Sequence, residues 1–413
     1  MFDNALFLLQ IAVIVGFSRL VAAVFRRFGQ PQVVGEMAAG LALGPTLFGL
    51  LFPDAYHALF PPASLGFLNS LSQIGLAVFI YLVGVRVDFA ELRHQREVAI
   101  VTSNISVLVP LLMGIVLAQY LYPRYGSGSR LAFALFIGTA MSVTAFPVLA
   151  RILMERNLLG TRLGSVAIAC AAVDDITAWI LLASIVAMTS HDRNARPLWL
   201  MFVYLAVYAV IMLILGRVLN AWSIRVDEKK LPLNAMVIFV VLALVSGAAG
   251  EWIGIHALVG GFVAGLVTPR KFRQQLIDKL EAVTLLLLIP LFFVLTGIRT
   301  NLLFRGGAGA YLDLFLILLV AVASKWGGTM IGARAKGMGW RDACQLGLMM
   351  NTRGLVELIV LNVGLETSIL SPSLFSMMVC MALVTTLMTT PLIDWVGGVE
   401  RTGVAAHSTS VFR

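Results

Sequence analysis

The sequence predicts an all-α polytopic membrane protein with about thirteen transmembrane helices. Of its 413 residues, 60% are hydrophobic and only 12% are charged, whereas soluble globular domains carry about 25% charged residues. Its mean hydropathy is +0.94. The 3 cysteines show no CxxC spacing, so we predict neither disulfides nor a metal site, and no cofactor.

Apolar runs separated by turn residues define the individual spans. The first apolar run is followed, not preceded, by Arg26 and Arg27. A cleaved signal peptide has the opposite polarity, so this run is predicted to be a retained span. The predicted spans are roughly 5–25, 31–51, 67–85, 98–121, 131–153, 163–189, 198–222, 233–250, 252–268, 282–298, 311–333, 343–364 and 374–397.

Most of the 30 lysine and arginine residues fall in alternate loops between these spans. Cytoplasmic loops hold the excess of basic residues in membrane proteins, so we predict an external N-terminus and a cytoplasmic C-terminus. The net charge of +9 therefore indicates membrane topology, and no nucleic-acid partner is predicted. Three basic residues lie inside predicted spans, namely Arg19, Lys325 and Arg353.

Two spans contain a polar patch that disfavours a continuous helix. "AMSVTAFPVLARIL" (140–153) contains Pro147, and "MMNTRGLVELIVL" (349–361) contains Gly354. Transporters built from two inverted repeats have interrupted helices at corresponding positions. We therefore predict a first inverted six-helix repeat, a linker span, a second inverted six-helix repeat and a short cytoplasmic tail, at 1–189, 190–230, 231–398 and 399–413.

Asp174 and Asp175 are the candidate functional residues of the sixth span, in "ACAAVDDITAWILLA" (169–183). Asp174 lies about 18 Å beyond Arg162 along a helix, near the middle of a bilayer. An ionised acid at that depth costs at least about 2.5 to 3.5 kcal/mol, and such residues are functional by default. The alternative is a packed pair of acids that neighbouring cations neutralise.

The two aspartates are predicted to have different partners, because adjacent helical residues point about 100° apart. One can line a cavity as an ion ligand while the other faces a basic residue. Lys325 is the candidate for that basic residue, although it could instead extend to the cytoplasmic interface. A carboxylate paired with a buried ammonium can release or take up a proton when a metal cation arrives.

The interrupted spans supply further candidate ligands. Ser142 and Thr144 offer hydroxyl groups beside Pro147, and unwound backbone carbonyls in mid-membrane can coordinate cations. The alternative for both hydroxyls is a bond to the preceding helical turn.

The second interruption contains Asn351, Thr352, Arg353 and Glu357, which are possible supporting residues. Arg353 and Glu357 have i,i+4 spacing, so they can pair on one helix face. They are predicted equally as ion ligands or as a structural bridge that holds the broken helix.

Glu36 lies about one turn into the second span, as a structural acid or an acid on the entry side of the site. Gly40 and Gly44 share one face of the same helix. We interpret them as a surface for close helix packing.

Five segments together resemble the monovalent cation:proton antiporter family 2, in which sodium/proton and potassium/proton antiporters occur. They follow the family's order and cover nearly the whole membrane domain. The segments are "PQVVGEMAAGLALGP" (31–45), "MSVTAFPVLARIL" (141–153), "AAVDDITAW" (171–179), "IPLFFVLTGIRTNL" (289–302) and "NTRGLVELIVLNVGL" (351–365).

The resemblance implies a sodium/proton antiporter-like fold, with a dimerisation domain and a mobile core crossed by two broken helices. It implies a homodimer that works by elevator-like alternating access. Asp175 would be the site where cation and proton compete, and Asp174 would pair with Lys325 in the empty or proton-loaded states. A bacterial inner membrane is the expected location.

The predicted function is secondary active exchange of Na⁺ and/or K⁺ for H⁺ across the lipid bilayer. One alternative is a potassium-efflux type of antiporter without its regulatory domain, and another is a symporter or channel on the same scaffold. An enzyme is not predicted, because a proteolytic aspartate dyad needs two carboxylates about 3 Å apart that share a proton. Neighbours on one helix diverge too far for that.

Overall fold

The protein consists of helices and short connections in the part that the structure, a computed structural model, describes: residues 4–87, 96–189, 198–225, 233–298 and 308–397. The predicted tail at 399–413 lies outside these residues. The helices are α1 (Asn4–Arg27), α2 (Gln32–Leu43), α3 (Phe48–Leu51), α4 (Pro53–Leu59), α5 (Pro62–Arg86), α6 (Arg96–Tyr125), α7 (Arg130–Ser142), α8 (Phe146–Glu155), α9 (Arg162–Thr189), α10 (Leu198–Arg225), α11 (Leu233–Ile253), α12 (Ala257–Leu266), α13 (Arg270–Val283), α14 (Ile289–Ile298), α15 (Ala308–Ala335), α16 (Trp340–Met350), α17 (Leu355–Glu366) and α18 (Pro372–Gly397). A π-helical turn, Thr284–Leu288, joins α13 to α14.

The predicted class, an all-α polytopic membrane protein, is confirmed. Within the described residues, 10 helical segments are long and apolar enough to cross a membrane. The predicted spans 252–268, 282–298 and 343–364 correspond to shorter pieces: α12, α14 with its π-helical turn, and the pair α16 and α17. The total of thirteen spans stays a prediction.

Two of the predicted spans are broken near their middles. The first break separates α7, which ends at Ser142, from α8, and the second separates α16, which ends at Met350, from α17. Pro147 lies in the first turn of α8, where its missing N–H group costs no helical hydrogen bond. Both breaks therefore occur in the polar patches that predicted them.

The two breaks cross each other inside the protein. The backbone N–H of Ala145 donates to the carbonyl oxygen of Thr352 at 2.9 Å. The Thr144 hydroxyl lies 3.0 Å from the carbonyl oxygen of Met350. Unpaired backbone groups are costly away from water, and the crossing satisfies some of those that each break exposes.

Buried apolar side chains form three clusters. The largest centres on α7, α8 and α9, extends into α6 and α15 to α18, and includes residues of α2, α5, α12 and α14. A second joins α10 to α13, and a third joins α1, α2 and α14. Helix α5 contributes to all three, through Phe79, Tyr81 and Leu68 respectively.

Helix α2 packs tightly against α14 through glycines. A Cβ atom on Gly40 would lie 2.5 Å from the carbonyl oxygen of Val294, and one on Gly44 would lie 2.8 Å from that of Gly297. Since side chains at these distances would overlap the α14 backbone, the interpretation of Gly40 and Gly44 as packing residues is confirmed.

Candidate functional site

Asp174 is fully buried on α9, and both of its carboxylate oxygens have partners. Oδ2 lies 2.8 Å from Nζ of Lys325 and 2.9 Å from the Thr144 hydroxyl. The hydroxyls of Ser103 and Ser106, on α6, donate to Oδ1 at 2.6 Å and to Oδ2 at 3.4 Å. Asp174 thus joins α6, α9, α15 and the first break.

Lys325 has no exposed surface, so it does not extend to a membrane interface. Besides its bond to Asp174, Nζ donates to the carbonyl oxygen of Ser106 at 3.1 Å and to that of Ser142 at 2.5 Å. An ammonium group has three donors, and here each has an acceptor. This arrangement meets the requirement that a buried charge be paired and hydrogen-bonded.

Asp175 is equally buried, but its surroundings differ. Within the part of the chain that the structure describes, neither of its carboxylate oxygens has a hydrogen-bond partner. An unpartnered ionised carboxylate in such a place costs several kcal/mol. Neutralisation by a proton or a cation would remove this cost.

Two residues of the second break also bury polar atoms without partners. They are Asn351, through both ends of its amide, and Thr352, through its hydroxyl, when all described residues are considered. About 90% or more of buried polar groups in proteins are hydrogen-bonded, and α16, which ends at this break, packs against α9. Like the carboxylate of Asp175, these atoms are buried and have no hydrogen-bond partner among the described residues.

Ser142 and Thr144 contribute in different ways. The Ser142 hydroxyl donates to the carbonyl oxygen of Thr139 at 2.8 Å, so it bonds back to its own helix. Its main-chain carbonyl contacts Lys325 instead. The Thr144 hydroxyl has one proton, which can go to Asp174 or to the carbonyl oxygen of Met350.

Arg353 and Glu357 are both fully buried and lie 3.7 Å apart, measured from Nη1 to Oε1. The Arg353 guanidinium also donates to the carbonyl oxygens of Ala140 at 3.0 Å and Met141 at 2.6 Å. These carbonyls belong to the last turn of α7, which has no helical donors left for them. The geometry favours a structural role for Arg353: this residue of the second break stabilises the end of α7 at the first break.

Glu36 is buried on α2 but lies in another group of charges. It is 3.8 Å from Nη2 of Arg151 on α8, and Nε of Arg151 is 2.7 Å from Glu155. The backbone N–H of Gln32 donates to Glu155 at 2.6 Å. Among the described residues, no hydrogen bond or ion pair joins Glu36 to Asp174 or Asp175.

A family model described as "Sodium/hydrogen exchanger, transmembrane" matches residues 12–396. The chain belongs to the sodium/hydrogen exchanger family. The match spans all the helices from the middle of α1 to the end of α18, so the whole membrane region carries the family pattern. The narrower assignment to family 2 stays a prediction.

Relatives of this exchanger-family chain include antiporters for different ions. It is 41% identical to the Na⁺/H⁺ antiporter NhaS4 of Synechocystis sp. over 94% of this chain and 96% of that one. It is 33% identical to the K⁺/H⁺ antiporter 1 of Saccharomyces cerevisiae over 95% of this chain, but spans only 46% of the length of that relative. Both relatives are named as transporters, not as enzymes.

A solved structure with the same fold is the sodium proton antiporter MjNhaP1 from Methanocaldococcus jannaschii. The TM-score is 0.68, with 95% of this chain and 97% of that chain covered. The sequence identity is 15%, so the likeness concerns the fold alone. It agrees with the predicted fold class.

Sequence reasoning missed three hydroxyl residues that the exchanger-family fold brings to the site region. Ser103 and Ser106 bind Asp174, and the Thr386 hydroxyl on α18 accepts a bond from the Arg353 N–H at 3.0 Å and also contacts the Arg353 carbonyl. A signal for them exists in polar runs inside apolar spans, "VTSNISV" (101–107) and "VTTLMTT" (384–390).

Proposed function

We propose that the protein is a secondary active antiporter that exchanges a monovalent cation, Na⁺ and/or K⁺, for H⁺. The observation that carries this proposal is the contrast between two adjacent buried acids. Asp174 has partners on both oxygens, whereas neither oxygen of Asp175 has one within the described chain. Membership of the sodium/hydrogen exchanger family supports the same class of transport.

Competition at Asp175 couples the two fluxes. A buried carboxylate needs one positive charge for neutrality, and either a proton or a dehydrated cation supplies it. Because the two cannot occupy the same carboxylate together, the site crosses the membrane with one or the other. Loading a cation on one side therefore requires that the proton has left there.

The cation ligands that we propose are oxygen atoms. The Asp175 carboxylate supplies the charge, and Asn351 and Thr352 supply an amide oxygen and a hydroxyl that are buried and unpartnered among the described residues. Carbonyl oxygens of unwound segments complete such sites in transporters with broken helices. No resident cofactor is involved in this scheme.

Asp174 and Lys325 control the charge beside that site. Their contact of 2.8 Å stabilises the ammonium, and a cation arriving at Asp175 weakens this stabilisation through like-charge repulsion. We propose that Lys325 then releases a second proton, so that exchange is electrogenic. Imposing a membrane potential on proteoliposomes should change the rate; a rate independent of the potential would contradict the second proton.

Access alternates by movement of α6 to α9 and α15 to α18, which contribute most of the largest apolar cluster, against the remaining helices. Two copies form a homodimer in this scheme. The N-terminus is external, the C-terminus is cytoplasmic, and the membrane is the bacterial inner membrane. The excess of basic residues in alternate loops supports this orientation.

The decisive experiment replaces Asp175 by asparagine, which keeps the shape but cannot carry a charge. Purified protein is reconstituted in vesicles containing a pH-sensitive dye, and Na⁺, K⁺ or Li⁺ is added outside. We expect cation-dependent proton movement to disappear in Asp175→Asn and to persist in Glu97→Gln, whose side chain is 78% exposed. Full exchange by Asp175→Asn would overturn the proposal.

The same titration separates the sodium and potassium alternatives. A response to K⁺ alone would identify a potassium/proton antiporter. Cation currents that do not depend on pH would instead indicate a channel on this scaffold.

A further inference from the structure

A large cavity lies between α6, α9, α10 and α12, and its lining includes Val173 and Ile176, which flank the two aspartates on α9. Its volume is about 960 Å³, at the upper end of the roughly 300 to 1,000 Å³ typical of small-molecule sites. Neither aspartate lines it. The proposed exchange mechanism makes no use of this space.

Most of the cavity wall is apolar. Ala172 and Ile176 of α9, Leu213 of α10 and Phe262 of α12 are among the residues that line it. Two of the lining side chains are also partly exposed on the protein surface: Leu213 is 56% exposed, and Ile100 of α6 is 52% exposed. Both helices are long and apolar enough to span a membrane, so exposed apolar surface of candidate spans adjoins the cavity.

One end of the cavity is cationic. Along α10, the apolar liner Leu213 is followed by Gly216 and then by Arg217, and the start of α13 contributes Arg270 and Arg273. The described residues that line the cavity include no aspartate or glutamate. The cavity is thus a basic pocket at the end of an apolar cleft, in the part of the fold predicted to be cytoplasmic.

Arg273 is held in place as part of this end. Its guanidinium donates to the carbonyl oxygens of Thr268 at 3.1 Å, Leu266 at 3.2 Å and Val87 at 2.9 Å. Arg217 is exposed on the last third of α10, and Arg270 is exposed at the start of α13. Both residues line the cationic end of the cavity.

We propose that this cavity binds an anionic phospholipid, with an acyl chain in the apolar cleft and the phosphate at Arg217 and Arg270. Arginine matches phosphate geometry through paired N–H donors, and basic pockets between transmembrane helices on the cytoplasmic side bind anionic headgroups. The apolar wall, together with the exposed apolar side chains beside it on candidate spans, favours a lipid over a soluble phosphate compound. Binding itself does not depend on the proposed exchange function.

The lipid would touch helices of both the part proposed to move and the part proposed to stay fixed. Ala172 and Ile176 belong to α9, which carries the two aspartates, whereas Leu213 and Phe262 belong to α10 and α12. Ile176 also packs against the second apolar cluster, formed by α10 to α13. A bound lipid therefore lies between α9 and the helices α10 and α12, past which α9 would move under the proposed mechanism.

Native mass spectrometry with phosphatidylglycerol and phosphatidylcholine tests the charge requirement. The unchanged protein should retain phosphatidylglycerol, the anionic lipid, in preference to phosphatidylcholine. The double variant Arg217→Gln with Arg270→Gln should retain it about tenfold less. Arg27→Gln, at an exposed arginine on α1, is the matched control and should behave as the unchanged protein.

A photoactivatable phosphatidylglycerol tests the position of the acyl chain. Cross-links should map to α9, α10 and α12. Ala172→Phe, which fills the cleft, should remove these cross-links. Ala23→Phe, on the exposed face of α1, is the control and should leave them unchanged. Equal retention by the arginine double variant, or cross-links spread evenly over all lipid-facing helices, would overturn the proposal. Displacement of the lipid by inorganic phosphate alone would indicate a soluble anion and would also overturn it.

Discussion

At the scale of single residues, the two adjacent aspartates differ in whether they have a buried partner. Asp174 compensates the buried charge of Lys325, and Asp175 has no such task within the described chain. Removing one partner of a buried ion pair is strongly destabilising because it strands the other charge. The two positions should therefore fail in different ways when the acid is removed.

We expect Asp174→Asn to lower the free energy of unfolding by about 3 to 5 kcal/mol, because Lys325 loses its counter-charge. Asp175→Asn should leave thermal stability in detergent unchanged or higher. Both variants are compared by thermal unfolding at the same pH.

The double variant Asp174→Asn with Lys325→Gln provides the control, since it removes both charges together. Its loss of stability should be smaller than the sum of the two single losses. Strictly additive losses would contradict an energetic coupling between Asp174 and Lys325.

The sequence predicted Lys325 as a partner because a basic residue inside an apolar span is rare and needs a counter-charge. It did not predict the orientation of the Ser142 hydroxyl. A serine in a helix can bond back to its own turn or to another helix, and only packing decides between them. Ser103 and Ser106 were missed for a related reason. A neutral hydroxyl inside a span can bond to its own helix, so its presence does not require a partner on another helix.

At the scale of elements, the sequence predicts where the two helix breaks occur, but it does not predict the bonds that join one break to the other. Pro147 and Gly354 mark them by local backbone chemistry. The bonds of Arg353 to the carbonyl oxygens of Ala140 and Met141 join segments far apart in sequence, and no local pattern encodes such a pairing. The shorter helices, such as α12, likewise depend on burial by neighbours rather than on their own length.

Arg353→Met should destabilise the first break. The substitution keeps an unbranched apolar stem but leaves two carbonyl oxygens of α7 and the Glu357 carboxylate without their partner. We expect a loss of about 3 to 5 kcal/mol in the free energy of unfolding, measured by denaturation in detergent. The combined variant Arg353→Met with Glu357→Gln should recover part of this loss; no recovery would argue against the ion pair.

Gly40→Ala should weaken the contact between α2 and α14. Its Cβ would lie 2.5 Å from a carbonyl oxygen of α14, and overpacking of this kind costs about 1 to 3 kcal/mol. Gly16→Ala is the control, because no atom lies within 4 Å of a Cβ built there, and it should be neutral or stabilising by up to about 1 kcal/mol. Equal melting temperatures for the two variants would contradict the close packing of α2.

At the scale of the whole molecule, the charged group around Glu36 and Arg151 connects parts that the proposed mechanism separates. Glu36 is on α2, in the part that would stay fixed, and Arg151 is on α8, in the part that would move. A covalent link at this contact should therefore test whether movement is needed.

A reversible thiol cross-linker between Gln32→Cys and Glu155→Cys should stop exchange, and reduction should restore it. The two positions are close, since the Gln32 N–H donates to the Glu155 carboxylate at 2.6 Å. The control links Arg19→Cys on α1 to Gln32→Cys on α2, positions at which Nη1 of the native Arg19 donates to Oε1 of the native Gln32 at 3.0 Å, and should leave exchange intact. Undiminished transport by the first cross-linked protein would exclude the relative movement of α2 and α8.

The backbone bond between Ala145 and Thr352 has a consequence for ion preference. Because this bond joins the two breaks, the ligands proposed for Asp175 would move together under the proposed mechanism and would not be reassembled on each side of the membrane. An ion then meets the same set of oxygens whichever face of the membrane it comes from. Under the proposed mechanism, the ranking of Na⁺, K⁺ and Li⁺ should be identical for forward and reverse transport, even where the rates differ.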